Sequence, residues 1–341
     1  MRVLRSGWLV AGENVRTFER AIAAHVGASH AVACANGTCA LEVALRVCGI
    51  GPGDGVVVPS FTCIACPNAI HAAGATPVFC DVDPGTYNVT ADSIAARLTT
   101  LTRAILVVHQ FGLPAPMEEI EVLAGERGLI VIEDAACALG SRARGRPVGG
   151  RGNVTCFSFH PRKVLTTGEG GVIALADGAR AQAARRLIDH GGRDRAEIGH
   201  NYRLTDIQGA IGVVQMSRLD DIVRRRNELA TRYTDALSGI GGLVLPQVPE
   251  GVEPNWQSYV VRVTGDGAES RDELAVTLAR AQIETRPGTI ACHREPAYAT
   301  GDSLPVSESL AATTLTLPLY PGMESDRQDR VIETAIAALS S

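Results

Sequence analysis

Two rhythms alternate through the first two-thirds of the chain. Nearly uninterrupted apolar runs occur at residues 30–34, 56–58, 77–79, 104–108, 129–132 and 171–175. Runs of this length predict strands buried on both faces. Amphipathic stretches lie between them. Residues 13–26 place Val15, Phe18, Ile22 and Val26 on one helical face, and residues 38–48 repeat Leu41, Ala44, Leu45 and Cys48. Strand–helix alternation at this spacing predicts an α/β fold with a mainly parallel central sheet flanked by helices.

The pattern changes near residue 200. Residues 204–238 read as largely helical, with Ile207, Ile211, Val214, Leu219 and Ile222 at helical spacing and Arg224-Arg225-Arg226 on a solvated face. A loop rich in glycine and proline follows at 239–254, then a strand at 258–263 and amphipathic helices at 270–282 and 325–339. This predicts a large α/β domain over residues 1–218 and a smaller α+β domain over 219–341. With 341 residues, two domains with sizeable cores are expected.

Composition narrows the function classes. Apolar residues make up 45% and charged residues 20%, and the formal net charge is −5 without any dense basic run, which argues against a nucleic-acid partner. No apolar run approaches the roughly 18 residues of a membrane helix. Trp8-Leu9-Val10-Ala11 stops at Gly12-Glu13, too short for a signal-peptide core. Nine cysteines, an odd number set mostly in apolar runs, point to reduced thiols and a cytoplasmic location.

Of 32 basic side chains, one is a lysine, Lys163, and the other 31 are arginines. Arginine supplies charge but no free amine, whereas lysine can lose a proton and attack a carbonyl. Lys163 follows a predicted strand at 154–159, lies past Pro161, and precedes the glycine-rich stretch Gly168-Glu169-Gly170-Gly171. Ser158 and His160 flank it and, taken singly, read as hydrogen-bonding partners at a strand end.

Two further features join it. The apolar run 129–132 ends in Glu133-Asp134, a carboxylate that needs a cationic partner where it is buried. A protonated pyridine nitrogen is one such partner; a metal or a helix cap is another. Cys34-Ala35-Asn36-Gly37-Thr38 opens the helix that follows the first strand and reads as an anion site or as a turn with an N-cap. Neither a Walker sequence nor Gly-x-Gly-x-x-Gly occurs. Amine, pyridinium partner and anion site together are the requirements of pyridoxal 5′-phosphate (PLP).

At these residues the chain resembles the DegT/StrS sugar aminotransferases, a PLP-dependent family of fold type I related to aspartate aminotransferase. The resemblance runs almost end to end. It is carried by Asn36-Gly37-Thr38, Pro59-Ser60-Phe61-Thr62, His109-Gln110-Phe111-Gly112, Glu133-Asp134-Ala135-Ala136, the stretch 156–163 with Gly168-Glu169-Gly170-Gly171, Asn201-Tyr202-Arg203-Leu204-Thr205-Asp206-Ile207-Gln208, and Leu317-Pro318-Leu319-Tyr320-Pro321. It implies that Lys163 forms the Schiff base with PLP and shuttles the proton, that Asp134 pairs with the ring nitrogen, and that Gly37, Thr38 and Ser158 hold the phosphate. It further implies a homodimer with shared active sites, in which Asn201 reaches the phosphate of the neighbouring subunit, with Tyr202 and Arg203 beside it.

The implied reaction moves an amino group from glutamate or glutamine to a small-molecule acceptor, a nucleotide-linked keto-sugar or a ketocyclitol, in amino-sugar or natural-product biosynthesis. Elimination, dehydration or cyclisation on the same scaffold, and a catalytically idle binding protein, are the competing readings. Family members that dehydrate sugars tend to carry histidine in place of the lysine, so Lys163 favours transfer.

Three positions depart from the family pattern. Cys63 stands where an aromatic ring usually stacks on the cofactor, and Cys137 where Gln or His usually contacts its ring oxygen. The chain also begins close to Ser6-Gly7-Trp8, without the leader that often borders the substrate site. Cys63-Ile64-Ala65-Cys66 alone suggests zinc or redox chemistry, but no second C-x-x-C or paired histidine motif accompanies it.

Overall fold

The computed structural model describes residues 1–265, 267–299 and 301–339. Its centre is a seven-stranded sheet built from β1 (His30–Cys34), β2 (Gly55–Pro59), β3 (Thr76–Cys80), β4 (Thr102–Val108), β5 (Ile130–Asp134), β6 (Val154–Ser158) and β7 (Gly171–Leu175). The spatial order is β1-β7-β6-β5-β4-β2-β3. β7 runs antiparallel to both its neighbours, and the other strands are parallel to one another. The mainly parallel α/β sheet expected from the apolar runs is the observed fold.

The runs are apolar throughout because both faces are covered. Val32 and Cys34 of β1 pack with Leu41 and Leu45 on one face. Ala31 and Ala33 pack with Phe18, Ile22 and Val26 on the other. The latter three belong to α1 (Glu13–Val26), and the former pair to α2 (Gly37–Val47), both on the predicted stretches. Further helices are α3 (Ala65–Ala72), α4 (Met117–Arg127) and α5 (Gly178–Leu187).

The region predicted as one helical stretch at 204–238 divides at Ser217-Arg218 into α6 (Asp206–Met216) and α7 (Leu219–Leu237). The buried face of α6 is also not the predicted one: Ile211 and Val214 are exposed, while Gly209 and Gly212 are buried against α1. A side chain at either glycine would strike α1, since a Cβ on Gly212 would sit 2.7 Å from the Phe18 ring. The helices therefore approach through glycine, and the larger apolar residues turn outward. Arg226 departs from the predicted solvated face as well. It is buried, donates to the Trp256 carbonyl at 2.8 Å, and burial pulls its guanidinium down to about 10.

A second, four-stranded antiparallel sheet contains β8 (Tyr259–Val263) and β9 (Thr314–Leu317) at its centre, with Leu243–Val244 and Arg286–Pro287 at its edges. Helices α8 (Ala268–Arg280) and α9 (Ser325–Leu339) contribute Leu274, Leu278, Val331 and Ile332 to its core. α7 joins the two cores: Leu219 and Ile222 pack on the large sheet, Leu229, Tyr233 and Leu237 on the small one. The chain then returns toward the large sheet, where Ile290–Ala291 forms a separate two-stranded pairing with Phe61–Thr62, just past the end of β2. This return brings residues of the second sheet to the carboxyl ends of the parallel strands, the usual location of ligand sites in such sheets.

Candidate active site

Three strand ends define the site. β1 runs out at Cys34, β5 at Asp134 and β6 at Ser158. Beyond β1, the Asn36 side chain caps α2 by accepting from the Cys39 N–H at 2.9 Å, leaving the first N–H groups of the helix directed at the site. Gly37 permits the closest approach. A Cβ there would lie 2.8 Å from Ser158 Cβ and 3.1 Å from its Oγ, so this strand end and this helix start meet only because residue 37 has no side chain. Helix N-terminus and hydroxyl form a cradle for an anion.

Asp134 is buried at the end of β5, and its carboxylate is held from two sides. Oδ1 accepts from the Ala136 N–H at 2.9 Å, and Oδ2 accepts from the Cys66 thiol at 3.0 Å. Burial, followed by the neighbouring carboxylate, pushes the Cys66 thiol well above its ordinary range, so it remains a donor. Cys66 is the one functional contact that its own C-x-x-C setting pointed away from. Among the described residues no His/Cys/Asp/Glu cluster suited to a metal occurs.

Lys163 sits in the loop after β6, where its own N–H donates to the His160 carbonyl at 2.9 Å. Thr166 Oγ1 donates to the Phe159 carbonyl at 2.9 Å and fixes the following turn. The amine reaches back to Cys137, with Nζ to Sγ at 3.2 Å. Burial acts to lower the ammonium, but the adjoining Cys137, Asp134 and Cys63 outweigh it, and Lys163 is held above its ordinary value.

A cavity of about 820 Å³ gathers these groups. Gly37, Thr38, Cys63, Asp134, Cys137, Ser158 and Lys163 all line it. Asn201 does not; it is exposed on an adjoining segment whose next residue, Tyr202, does reach the wall. The cavity also admits residues with no local sequence signal. Gln257, Ser258 and Arg286 enter from the second sheet, and Glu42 from α2. Arg286 is drawn below its usual range by burial and by the neighbouring Arg162.

The donor set fits PLP. A buried carboxylate, an amine across the cavity from it, and an anion cradle that a Cβ would fill correspond to the ring nitrogen, the aldehyde and the phosphate of that cofactor.

Comparison with known proteins agrees with this donor set. Residues 1–335 match the DegT/DnrJ/EryC1/StrS aminotransferase family. The chain is 37% identical to the dTDP-4-dehydro-2,3,6-trideoxy-D-glucose 4-aminotransferase of Saccharopolyspora spinosa, over 94% of this chain and 88% of that protein. The fold superposes on S. venezuelae DesV, solved in complex with a ketimine intermediate, with a TM-score of 0.96 at 37% identity, covering 100% of this chain and 93% of that one. It also superposes on the PLP form of the sugar aminotransferase Spr1654 from Streptococcus pneumoniae, with a TM-score of 0.94 at 27% identity, covering 99% and 94%. The chain belongs to the DegT/DnrJ/EryC1/StrS aminotransferase family and is a PLP-dependent aminotransferase.

Proposed function

We propose that this aminotransferase moves an amino group from glutamate or glutamine to a keto-sugar, nucleotide-linked, or to a ketocyclitol. The observation that carries the reading is the convergence of Lys163, Asp134 and the Gly37–Ser158 cradle in one cavity large enough for cofactor and substrate together. PLP, when bound, supplies the electron sink for the carbon that gains or loses the amino group.

The protein residues take the remaining tasks. Lys163 would hold the cofactor through Nζ, and the same amine would accept and return the proton at the reacting carbon. Asp134 keeps the ring nitrogen protonated, and Cys66 and the Ala136 N–H keep that carboxylate aimed. Gly37, Thr38 and Ser158 would anchor the phosphate at the helix N-terminus. Cys137 lies beside the amine, Sγ 3.2 Å from Lys163 Nζ, and Cys63 lines the cavity without offering a stacking face.

The active unit in this reading is a homodimer in which Asn201 of each subunit completes the phosphate site of the other. Support comes from the exposure of Asn201 away from its own cavity and from an apolar surface beside it. Trp8, Val10, Ile211 and Val214 are 62, 56, 41 and 60% exposed, and the Asp206 N–H donates to the Leu9 carbonyl at 3.0 Å, which joins the two segments. Nine free cysteines, six of them buried, support a reducing, cytoplasmic setting. Among the described residues no helix is long and apolar enough to cross a membrane.

The test is a half-reaction. Purified protein loaded with PLP should be yellow and should convert its cofactor to the amino form with glutamate or glutamine. The loaded amino form should then aminate a nucleotide-linked keto-sugar or a ketocyclitol, read by mass spectrometry of the product. Cofactor that binds but is not converted by either amino acid refutes the donor assignment. An idle binding protein would give no conversion with any amino acid.

A further inference from the structure

Glu42 lies one helical turn beyond Thr38 on α2, in the wall of the cofactor cavity, and its carboxylate is buried. Burying a carboxylate is costly unless donors surround it. Here Oε2 accepts the Tyr202 hydroxyl at 3.0 Å and Oε1 lies 3.1 Å from the Arg46 guanidinium, while His200 Nε2, 3.5 Å from Oε1, makes no hydrogen bond to it. The His200 and Tyr202 rings stack with centroids 4.7 Å apart and planes inclined by 15°. Burial and the bond to Glu42 push the Tyr202 phenol up to about 12, so it stays protonated and donating.

These two aromatic residues bracket Asn201. The segment is pinned as extended chain by bridges from Asn201 to Asp189 and from Arg203 to Cys34, and the Ala35 N–H donates to the Tyr202 carbonyl at 2.7 Å. In extended chain, alternate side chains face opposite sides. Holding Tyr202 on Glu42, with His200 stacked on the Tyr202 ring, therefore turns Asn201 the other way, outward from its own cavity.

We propose that Glu42 is a positioning residue for the active site of the neighbouring subunit: by holding Tyr202, on which His200 stacks, it presents Asn201 to the phosphate cradle across the dimer. The proposal rests on the shared-site reading above. Its consequence is that a change at Glu42 weakens cofactor binding in the other subunit more than a defect in its own cradle would explain.

The experiment uses heterodimers of full-length chains carrying two different affinity tags. One chain carries Lys163→Ala, so that only the other forms the coloured Schiff base when the apoprotein is titrated with PLP. Glu42→Gln is placed on the Lys163→Ala chain in one arm and on the reporting chain in a second arm. Asn201→Ala on the Lys163→Ala chain is the reference. We expect Glu42→Gln in the first arm to weaken PLP binding about tenfold, the loss of one hydrogen bond to a charged group, and to match the reference. Tyr202→Phe, which leaves the carboxylate its Arg46 partner, should weaken it in the same arm by a smaller factor. If the reference weakens binding across the dimer but Glu42→Gln and Tyr202→Phe do not, or do so only in the reporting chain, the role of Glu42 is overturned and the shared site stands. If the reference has no effect across the dimer, the shared site falls and the proposal falls with it.

Discussion

Removing the Cys66 sulfur tests how the Asp134 carboxylate is held. Cys66 is fully buried, and its thiol donates to Asp134 Oδ2 at 3.0 Å. Cys66→Ala removes that donor and leaves the space of one heavy atom. A hydrogen bond to a charged group contributes about 1.5–3 kcal/mol, and a thiol, being a weak donor, belongs near the lower end. The vacated volume is comparable to a methylene, about 1 kcal/mol. Together the variant should lose roughly 2.5 kcal/mol of apoprotein stability, read as a lower urea midpoint at unchanged slope and fixed protein concentration.

Two further variants separate the causes. Cys66→Ser restores a donor with less volume, and Cys66→Val restores volume without a donor. The thiol's role predicts that the serine variant recovers more stability than the valine variant and binds PLP more tightly. A valine variant indistinguishable from wild type, beside a serine variant as unstable as alanine, would refute the reasoning and make Cys66 a packing residue.

Other outcomes follow from the same geometry. Lys163→Ala should abolish turnover and Lys163→Arg should fail to restore it, because a guanidinium keeps the charge but forms no Schiff base; a coupled transamination assay checks both. Gly37→Ala should weaken PLP binding by about tenfold or more, because the new Cβ forces Ser158 and the helix start apart; unchanged affinity in a PLP titration would count against the cradle. Glu133, buried on β5 beside Asp134, is opposed by burial, but hydrogen bonds from His109, Asn153 and Thr155 outweigh it and hold the carboxyl below its usual range. Its stabilisation is therefore complete above the unfolded glutamate value, about 4.3, and is lost as pH falls below that through the folded value. Glu133→Gln should flatten the acid side of the stability profile, and superimposable urea midpoints from about pH 3 to pH 6 would argue against it.

The parts of this molecule legible in the sequence are those where local pattern and tertiary environment coincide. β1, β5, β6 and β7 read correctly because strands covered on both faces admit few polar residues, and α1 because its stripe of Val15, Phe18, Ile22 and Val26 is its buried face. Lys163 stood out because no other lysine dilutes it, and Asp134 because an acid directly follows an apolar strand. The α6 stripe misled for a definite reason. Helical spacing marks apolar residues as inward-facing, whereas contact through Gly209 and Gly212 places the smallest residues inward. Arg226 misled similarly, since a run of arginines carries no sign that one of them will meet buried main-chain carbonyls.

The contacts that escaped the sequence share one property: each joins residues far apart in the chain. Cys66 meets Asp134 across 68 positions and Tyr202 meets Glu42 across 160, and neither pair has a spacing rule. Arg286 reaches the cavity from the strand that precedes the pairing of Ile290–Ala291 with Phe61–Thr62, and Gln257 from the segment just before β8, where its side chain donates to the Arg162 carbonyl. This division has a chemical logic. The groups that define the reaction class sit at strand ends, where one backbone position fixes each of them, and a sequence lists strand ends in order. Around them stand second partners: the thiol behind the Asp134 carboxylate, the acid behind the Asn201 segment, the arginine at the cavity wall. A second partner can be supplied by any element that packs nearby, so its residue type varies with the packing. The family resemblance therefore extends to the reaction. Cys63, Cys137, Arg162 and Arg286 also line the cavity, and they come from four different parts of the chain rather than from one motif.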